Sequence, residues 1–121
     1  MPIIIAIFLG GGLGSVSRYF ISRSITSNFT GINPKGTFIV NLLSTILLGV
    51  VLYLSSSKLE MSGPTKAMLV IGFCGGFSTF STFSYETFEL LRTGNYMFAI
   101  ANLFVSLFLG VGVLFVMART F

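Results

Sequence analysis

The sequence has no histidine, no aspartate and no tryptophan, and a single cysteine, Cys74. Without histidine there is no imidazole metal ligand and no His-dependent catalytic triad. Without aspartate the usual carboxylate of phosphoryl transfer is missing. One cysteine cannot close an internal disulfide or build a thiolate cluster, so cysteine usage is silent on redox compartment. No Gly-x-x-x-x-Gly-Lys-Ser/Thr run marks an ATP site. Charge is scarce as well, at 8% of residues, against about 25% in a typical soluble domain. Such a chain cannot clothe a water-facing surface. Its 54% hydrophobic content and mean hydropathy of +0.97 place it in a lipid bilayer. Seven basic residues against three glutamates leave +4. The bases are scattered, with no stripe or run, so they read as loop and interface anchors and not as a nucleic-acid surface.

What remains is organised into four apolar segments, each near the roughly 20 residues that cross a membrane. They run from Pro2 to Tyr19, Gly36 to Leu54, Ala67 to Leu91 and Met97 to Ala118. The opening MPIIIAIFLGGGLG lacks a basic n-region and a small-residue cleavage site, so it reads as the first span and not as a cleaved leader. The connections are short: Thr30 to Lys35 with Pro34, Ser55 to Pro64 with Lys58 and Glu60, and Arg92 to Tyr96 with Gly94. The expectation is an all-α membrane protein forming one four-helix domain over residues 1–121.

Four spans put both termini on one side. That side carries Lys58, Lys66 and Arg119, and the other carries Arg18, Arg23, Lys35 and Arg92. Basic loop residues set orientation, and this split is nearly even. Two readings stand. In one the chain inserts both ways, and opposed copies pair about an axis in the membrane plane, the two-chain version of an inverted repeat. In the other, a subtle difference sets one orientation. Small-xxx-small spacings at Gly10/Gly14, Gly11/Ser15, Gly72/Gly76 and Ser106/Gly110 predict close helix packing and self-association.

Polar residues inside such helices face a bundle interior or a pathway. Thr37 and Asn41 lie one turn apart on the second span, and Asn102 and Ser106 one turn apart on the fourth. Asn41 is either interhelical glue or a pathway donor. Ser44 and Thr45 are expected to satisfy themselves on the carbonyl one turn back. The third span is unlike the others. Between Gly72 and Ser84 it holds three glycines and five hydroxyl residues, a poor continuous helix. A break is predicted over Gly75 to Thr79. Non-helical backbone at membrane depth belongs where it is buried in protein or lines a cavity, and freed carbonyls and amides there suit an ion site.

Beyond the break, Phe80 and Phe83 share a face, with Ser81, Thr82 and Ser84 beside them. Ring edges are electropositive and hydroxyls and the Asn41 amide are donors. Together they would line a weakly electropositive path with no fixed cation, which admits a small hydrated anion without trapping it. Glu86 follows one turn after Thr82, as a proton relay, a pore-mouth acceptor or a water-facing carboxylate. Glu89 reads as interfacial. Arg18 pairs with an acid, draws anions to a vestibule or, most simply, anchors at headgroups.

These residues resemble a known family, the Fluc/CrcB fluoride channels. The resemblance is carried by GGLGSVSRY from Gly11 to Tyr19, GTFIVN from Gly36 to Asn41 and GFCGGFSTFSTFS from Gly72 to Ser84, in family order. It implies an antiparallel dual-topology homodimer conducting fluoride passively through two narrow pores. It implies that Phe80 and Phe83 line the path with ring edges, that Asn41 donates there, and that Ser81 and Thr82 join a polar track toward Glu86. Thr37, Asn102 and Ser106 join the same pore set. Many relatives carry Tyr where this chain has Asn102. The resemblance also implies a structural sodium ion at the dimer centre, held by backbone carbonyls of Gly75 and Ser78. The expected setting is the bacterial inner membrane, and the expected role is fluoride resistance, because HF enters acidified cells and is trapped as the anion. The partners are thus fluoride, sodium, a second copy and the bilayer.

The main rival is a small proton-coupled multidrug exporter, also four helices with dual topology. That chemistry needs a membrane-embedded carboxylate, and the first span has none. A non-transporting assembly subunit would use the same small-residue packing but would not need a polar broken helix. An enzyme has neither the histidine nor the paired acids to work with.

Overall fold

A computed structural model describes residues 2–26, 34–58 and 60–119 of the chain. Every regular element among them is helical. Helix α1 is Ile3–Thr26, and α2 is Lys35–Tyr53 with a wider π-wound turn, Leu54–Lys58, continuing it. Helix α3 covers residues 63–77, built from Gly63–Ala67, a π-wound Met68–Cys74 and Gly75–Phe77. Helix α4 is Ser81–Arg92 and α5 is Tyr96–Ala118. The stretches Ile3–Ile25, Lys35–Ser56, Gly63–Arg92 and Tyr96–Ala118 are long and apolar enough to cross a membrane.

The first and third spans are longer than the sequence pattern suggests, because Arg23 and Lys66 sit within helix without ending it. The predicted loop from Ser55 to Pro64 is shorter in the structure. Helix persists to Lys58, and Ser62 restarts it by accepting the Thr65 N–H at 3.2 Å, with Pro64 in the first turn. The loop predicted at Thr30 to Lys35 lies mostly outside the described residues. The Arg92 to Tyr96 connection is a tight turn. Gly94, at φ +87°, lets Asn95 donate to Leu90 C=O at 2.8 Å and Gly94 to Leu91 C=O at 3.2 Å, the Schellman arrangement that ends a helix at a left-handed glycine.

Packing follows the glycines. Helix α1 lies along α3, and α2 is flanked by α1 and α5. A Cβ on Gly10 would run into the Met68 carbonyl, and one on Gly14 into the Phe73 carbonyl. From the other side, a Cβ on Gly72 would sit 2.9 Å from the Ile7 oxygen, and one on Gly76 2.5 Å from the Gly11 oxygen. The predicted pairs Gly10/Gly14 and Gly72/Gly76 are thus the two halves of one seam, backbone against backbone. Gly11 touches it more loosely. Ser106 and Gly110 instead face α2, where a Gly110 Cβ would lie 3.9 Å from the Thr45 hydroxyl. The interior of one chain is small: among the described residues Val40 is the largest side chain wholly removed from the surface, and α5 buries only Ala99.

Candidate functional site

The third span breaks at residues 78–80. Glycine does not unwind it where expected. Gly75 and Gly76 stay helical, because Cys74 C=O keeps its helical donor, the Ser78 N–H, at 3.0 Å. Ser78 then turns extended, at φ −83° and ψ 162°, and α4 begins at Ser81. The Thr79 hydroxyl accepts the Thr82 N–H at 3.3 Å, serving as a cap for α4.

Helix α2 holds the break through a polar ladder. Its rungs are Thr37, Asn41 and Ser44, spaced to fall on one stripe. The Thr37 hydroxyl lies beside the Glu86 carboxyl. Asn41 grips Thr79 twice: Oδ1 accepts its N–H at 2.8 Å, and Nδ2 donates to its C=O at 3.1 Å. Ser44 donates to Cys74 C=O at 3.0 Å. The partners 86, 79 and 74 run opposite to 37, 41 and 44, as antiparallel neighbours must. Asn41 is therefore glue, and it also lines an open groove. Thr45 satisfies itself on Asn41 C=O at 3.0 Å as predicted. Ser44 does not, because its stripe faces α3 and a carbonyl there lies within reach.

The groove holds about 330 Å³ between α2, the break and α5. Its polar lining is Asn41, Thr45, Ser78, Thr79 and Ser106, and its aromatic lining is Phe80 and Phe83. No lining residue carries a charge. The two rings stand 6.3 Å apart, tilted by 41°, and Phe80 is 82% exposed on a single chain. Asn41 Nδ2 carries two N–H groups, so one remains beyond its bond to Thr79. A smaller space of about 40 Å³ shares Asn41, Thr45 and Ser106 with the groove. Further along, about 230 Å³ opens beside Lys35, Phe38 and Asn102, and Ser106 Oγ stands 3.4 Å from Asn102 Oδ1.

Five of the predicted residues thus meet in one groove: Asn41, Phe80, Phe83, Ser106 and Ser78. Asn102 joins through Ser106. Ser81 and Thr82 stand at the start of α4, outside the groove lining, with Ser81 Oγ 3.5 Å from Thr79 Oγ1. Thr37 and Glu86 form a separate buried pair, with Glu86 six residues beyond the break. Glu86 is not a water-facing carboxylate: it is buried, and its Oε1 has no partner among the described residues. Glu89, in contrast, forms a two-pronged pair with Arg92 at 3.0 and 2.7 Å. Arg18 is tied into the protein through its Nε, which donates to Gly76 C=O at 3.1 Å. Sequence reasoning assigned no pore role to Thr79 or Thr45. Their signal was weak, one hydroxyl among many, and only the facing Asn41 singles out Thr79.

The break also frees carbonyls. The helical donor of Gly75 C=O is the Thr79 N–H, diverted to Asn41. That of Ser78 C=O is the Thr82 N–H, diverted to the Thr79 hydroxyl. Gly76 C=O is engaged by Arg18. A Cβ on Gly75 would meet nothing within 4 Å, so this turn faces outward from the chain. Neutral carbonyl oxygens of this kind fit a hard cation such as sodium.

Fold and site together define a small four-span helical membrane protein whose broken third span builds a polar, uncharged groove. The chain belongs to the family described as CrcB-like protein, Camphor Resistance (CrcB), which it matches over residues 5–118. It is 45% identical over 111 residues to a fluoride-specific ion channel FluC of Phocaeicola vulgatus, covering 92% of this chain and 91% of the relative. It is 48% identical over 103 residues to the protein of that name from Pyrococcus horikoshii, covering 84% and 80%. For the one from Chloroflexus aurantiacus the identity is 47% over 97 residues, covering 80% and 77%. These relatives are named as ion channels, not as enzymes.

Proposed function

We propose that this protein is a passive fluoride channel of the cell inner membrane. The observation that carries the reading is the groove at residues 78–80, where Asn41, Ser106, Phe80 and Phe83 gather with no charged side chain among them. Fluoride is small and strongly hydrated, and a full cation in a dry groove would hold it too tightly to release. An amide N–H, hydroxyls and ring edges replace part of its water shell at lower strength. Asn102, Ser81, Thr82, Thr37 and Glu86 extend the polar track on either side. Apolar side chains, Leu103 and Leu107 among them, complete the walls.

The working unit is an antiparallel dual-topology homodimer with two pores. The near-even basic residues, the outward Phe80 ring and the scarcely buried α5 support it. A sodium ion at the dimer centre would be held by the Gly75 and Ser78 carbonyls of each copy. It would supply positive charge that neutralises these freed dipoles where the two breaks meet. The exporter alternative is not favoured, because relatives matching most of the chain are named fluoride-specific ion channels.

The test is efflux from liposomes carrying the purified protein, followed with a fluoride electrode after potassium permeability is added, with chloride run in parallel. Rapid fluoride release with negligible chloride release is expected. Release of neither ion from a folded dimer would overturn the reading. A variant with lysines added to the loops of one side should be silent when expressed alone. Activity in that single-orientation variant would refute the antiparallel dimer.

A further inference from the structure

Ser44 is the rung that the anion path does not use. It is 4% exposed, it does not line the groove, and, unlike Thr45, it does not bond the carbonyl one turn back in its own helix. Its target, Cys74 C=O, does not need it. That oxygen already accepts the Ser78 N–H at 3.0 Å and the Ser78 hydroxyl at 2.8 Å. A carbonyl has two lone pairs, so a third donor does not answer an unsatisfied acceptor. What it does is tie the oxygen to α2.

Cys74 C=O is a hub for the two residues whose carbonyls are freed by the break. Gly75 is its covalent neighbour, and Ser78 is bound to it twice. On the far side of the same stretch, Asn41 grips Thr79. Residues 75–78 are thus bracketed between two points, 74 and 79, both anchored on α2. We propose that Ser44 is a positioning residue for the sodium site: its hydroxyl sets the place of the last turn of α3, and so the spacing of the Gly75 and Ser78 carbonyls. This inference rests on the sodium reading above. Ordinary interhelical glue would leave the cation response unchanged, whereas positioning alters it.

The experiment uses the purified dimer in detergent, with sodium replaced by N-methylglucamine. Sodium is then titrated in at constant ionic strength, with potassium as the control cation. The readout is the thermal unfolding midpoint of the dimer, alongside fluoride efflux. Sodium is expected to raise the wild-type midpoint. Ser44→Ala should need about fivefold more sodium for half that rise, the equivalent of one ordinary hydrogen bond. Ser44→Thr, which restores a hydroxyl, should return to within about twofold of wild type. Should Ser44→Ala fail to assemble, Ser44→Cys keeps a weak donor and should show an intermediate shift. Equal half-points in wild type and the Ala or Cys variant would overturn the positioning role and leave the sodium reading standing. A wild-type midpoint indifferent to sodium over potassium would overturn both.

Discussion

Replacing Asn41 by alanine removes the two-sided clamp on Thr79, with bonds of 2.8 and 3.1 Å. Interhelical hydrogen bonds in membranes are worth about 0.6 kcal/mol on average, and the ordinary protein range reaches about 1.5. The pair is then worth about 1 to 3 kcal/mol. The backbone has an alternative once the clamp is gone. The Thr79 N–H can return to Gly75 C=O, adding a helical turn and swinging Phe80 away from Phe83. Bias of that size shifts the balance toward the continuous helix by about fivefold to 150-fold. Fluoride efflux from liposomes should fall by a comparable factor. The chain should still fold, because the α1–α3 seam does not involve Asn41. Hydrogen exchange of the Thr79 amide gives an independent view of the same switch. Asn41→Asp separates clamp from charge: it keeps the acceptor for the Thr79 N–H but cannot donate, and an ionised carboxylate would repel anions from the groove. Efflux within about twofold of wild type for Asn41→Ala, with unchanged Thr79 exchange, would refute the clamp.

Phe80→Ile and Phe83→Ile should each remove most fluoride efflux while the dimer still elutes intact, because neither ring holds the seam; normal flux in both would sink the pore assignment. Gly76→Val should block assembly of α1 against α3, since even a Cβ would stand 2.5 Å from the Gly11 carbonyl; recovery of a wild-type unfolding midpoint would contradict the seam. Gly94→Ala forces an L side chain to φ +87°. A loss of about 1 to 2 kcal/mol in unfolding free energy is expected, with efflux from folded protein unchanged.

Much of this was legible because the membrane makes sequence patterns blunt. Four apolar runs and their turns could be counted, and the glycines of the seam announce themselves at i and i+4. The polar crowd after Gly72 marked a break to within a few residues. Its exact place was not legible, since the helix ends where Asn41 captures the Thr79 N–H, and that capture depends on the register of α2 against α3. The same dependence hid Ser44. Ser44 and Thr45 are adjacent hydroxyls with equal local options, and only the neighbouring helix distinguishes them. From sequence, an anchor is the simplest of the readings open to Arg18, because a basic residue near a span end usually snorkels. A carbonyl exposed by the break offered it a partner inside the protein.

The seam between α1 and α3 has a mechanical consequence. Its contact surfaces are main chain, which has no rotamers to exchange and no methyl groups to slide. Motion along it would drive carbonyl oxygens into glycine α-carbons, so the two helices behave as one stiff plate. The opposite flank is padded differently: Met117 drapes over Gly49, and Leu103 and Leu107 line the groove. Long unbranched and isobutyl side chains repack readily there. Compliance in this protein is therefore lopsided, with the polar groove running along the boundary between a plate that does not yield and a cushion that does.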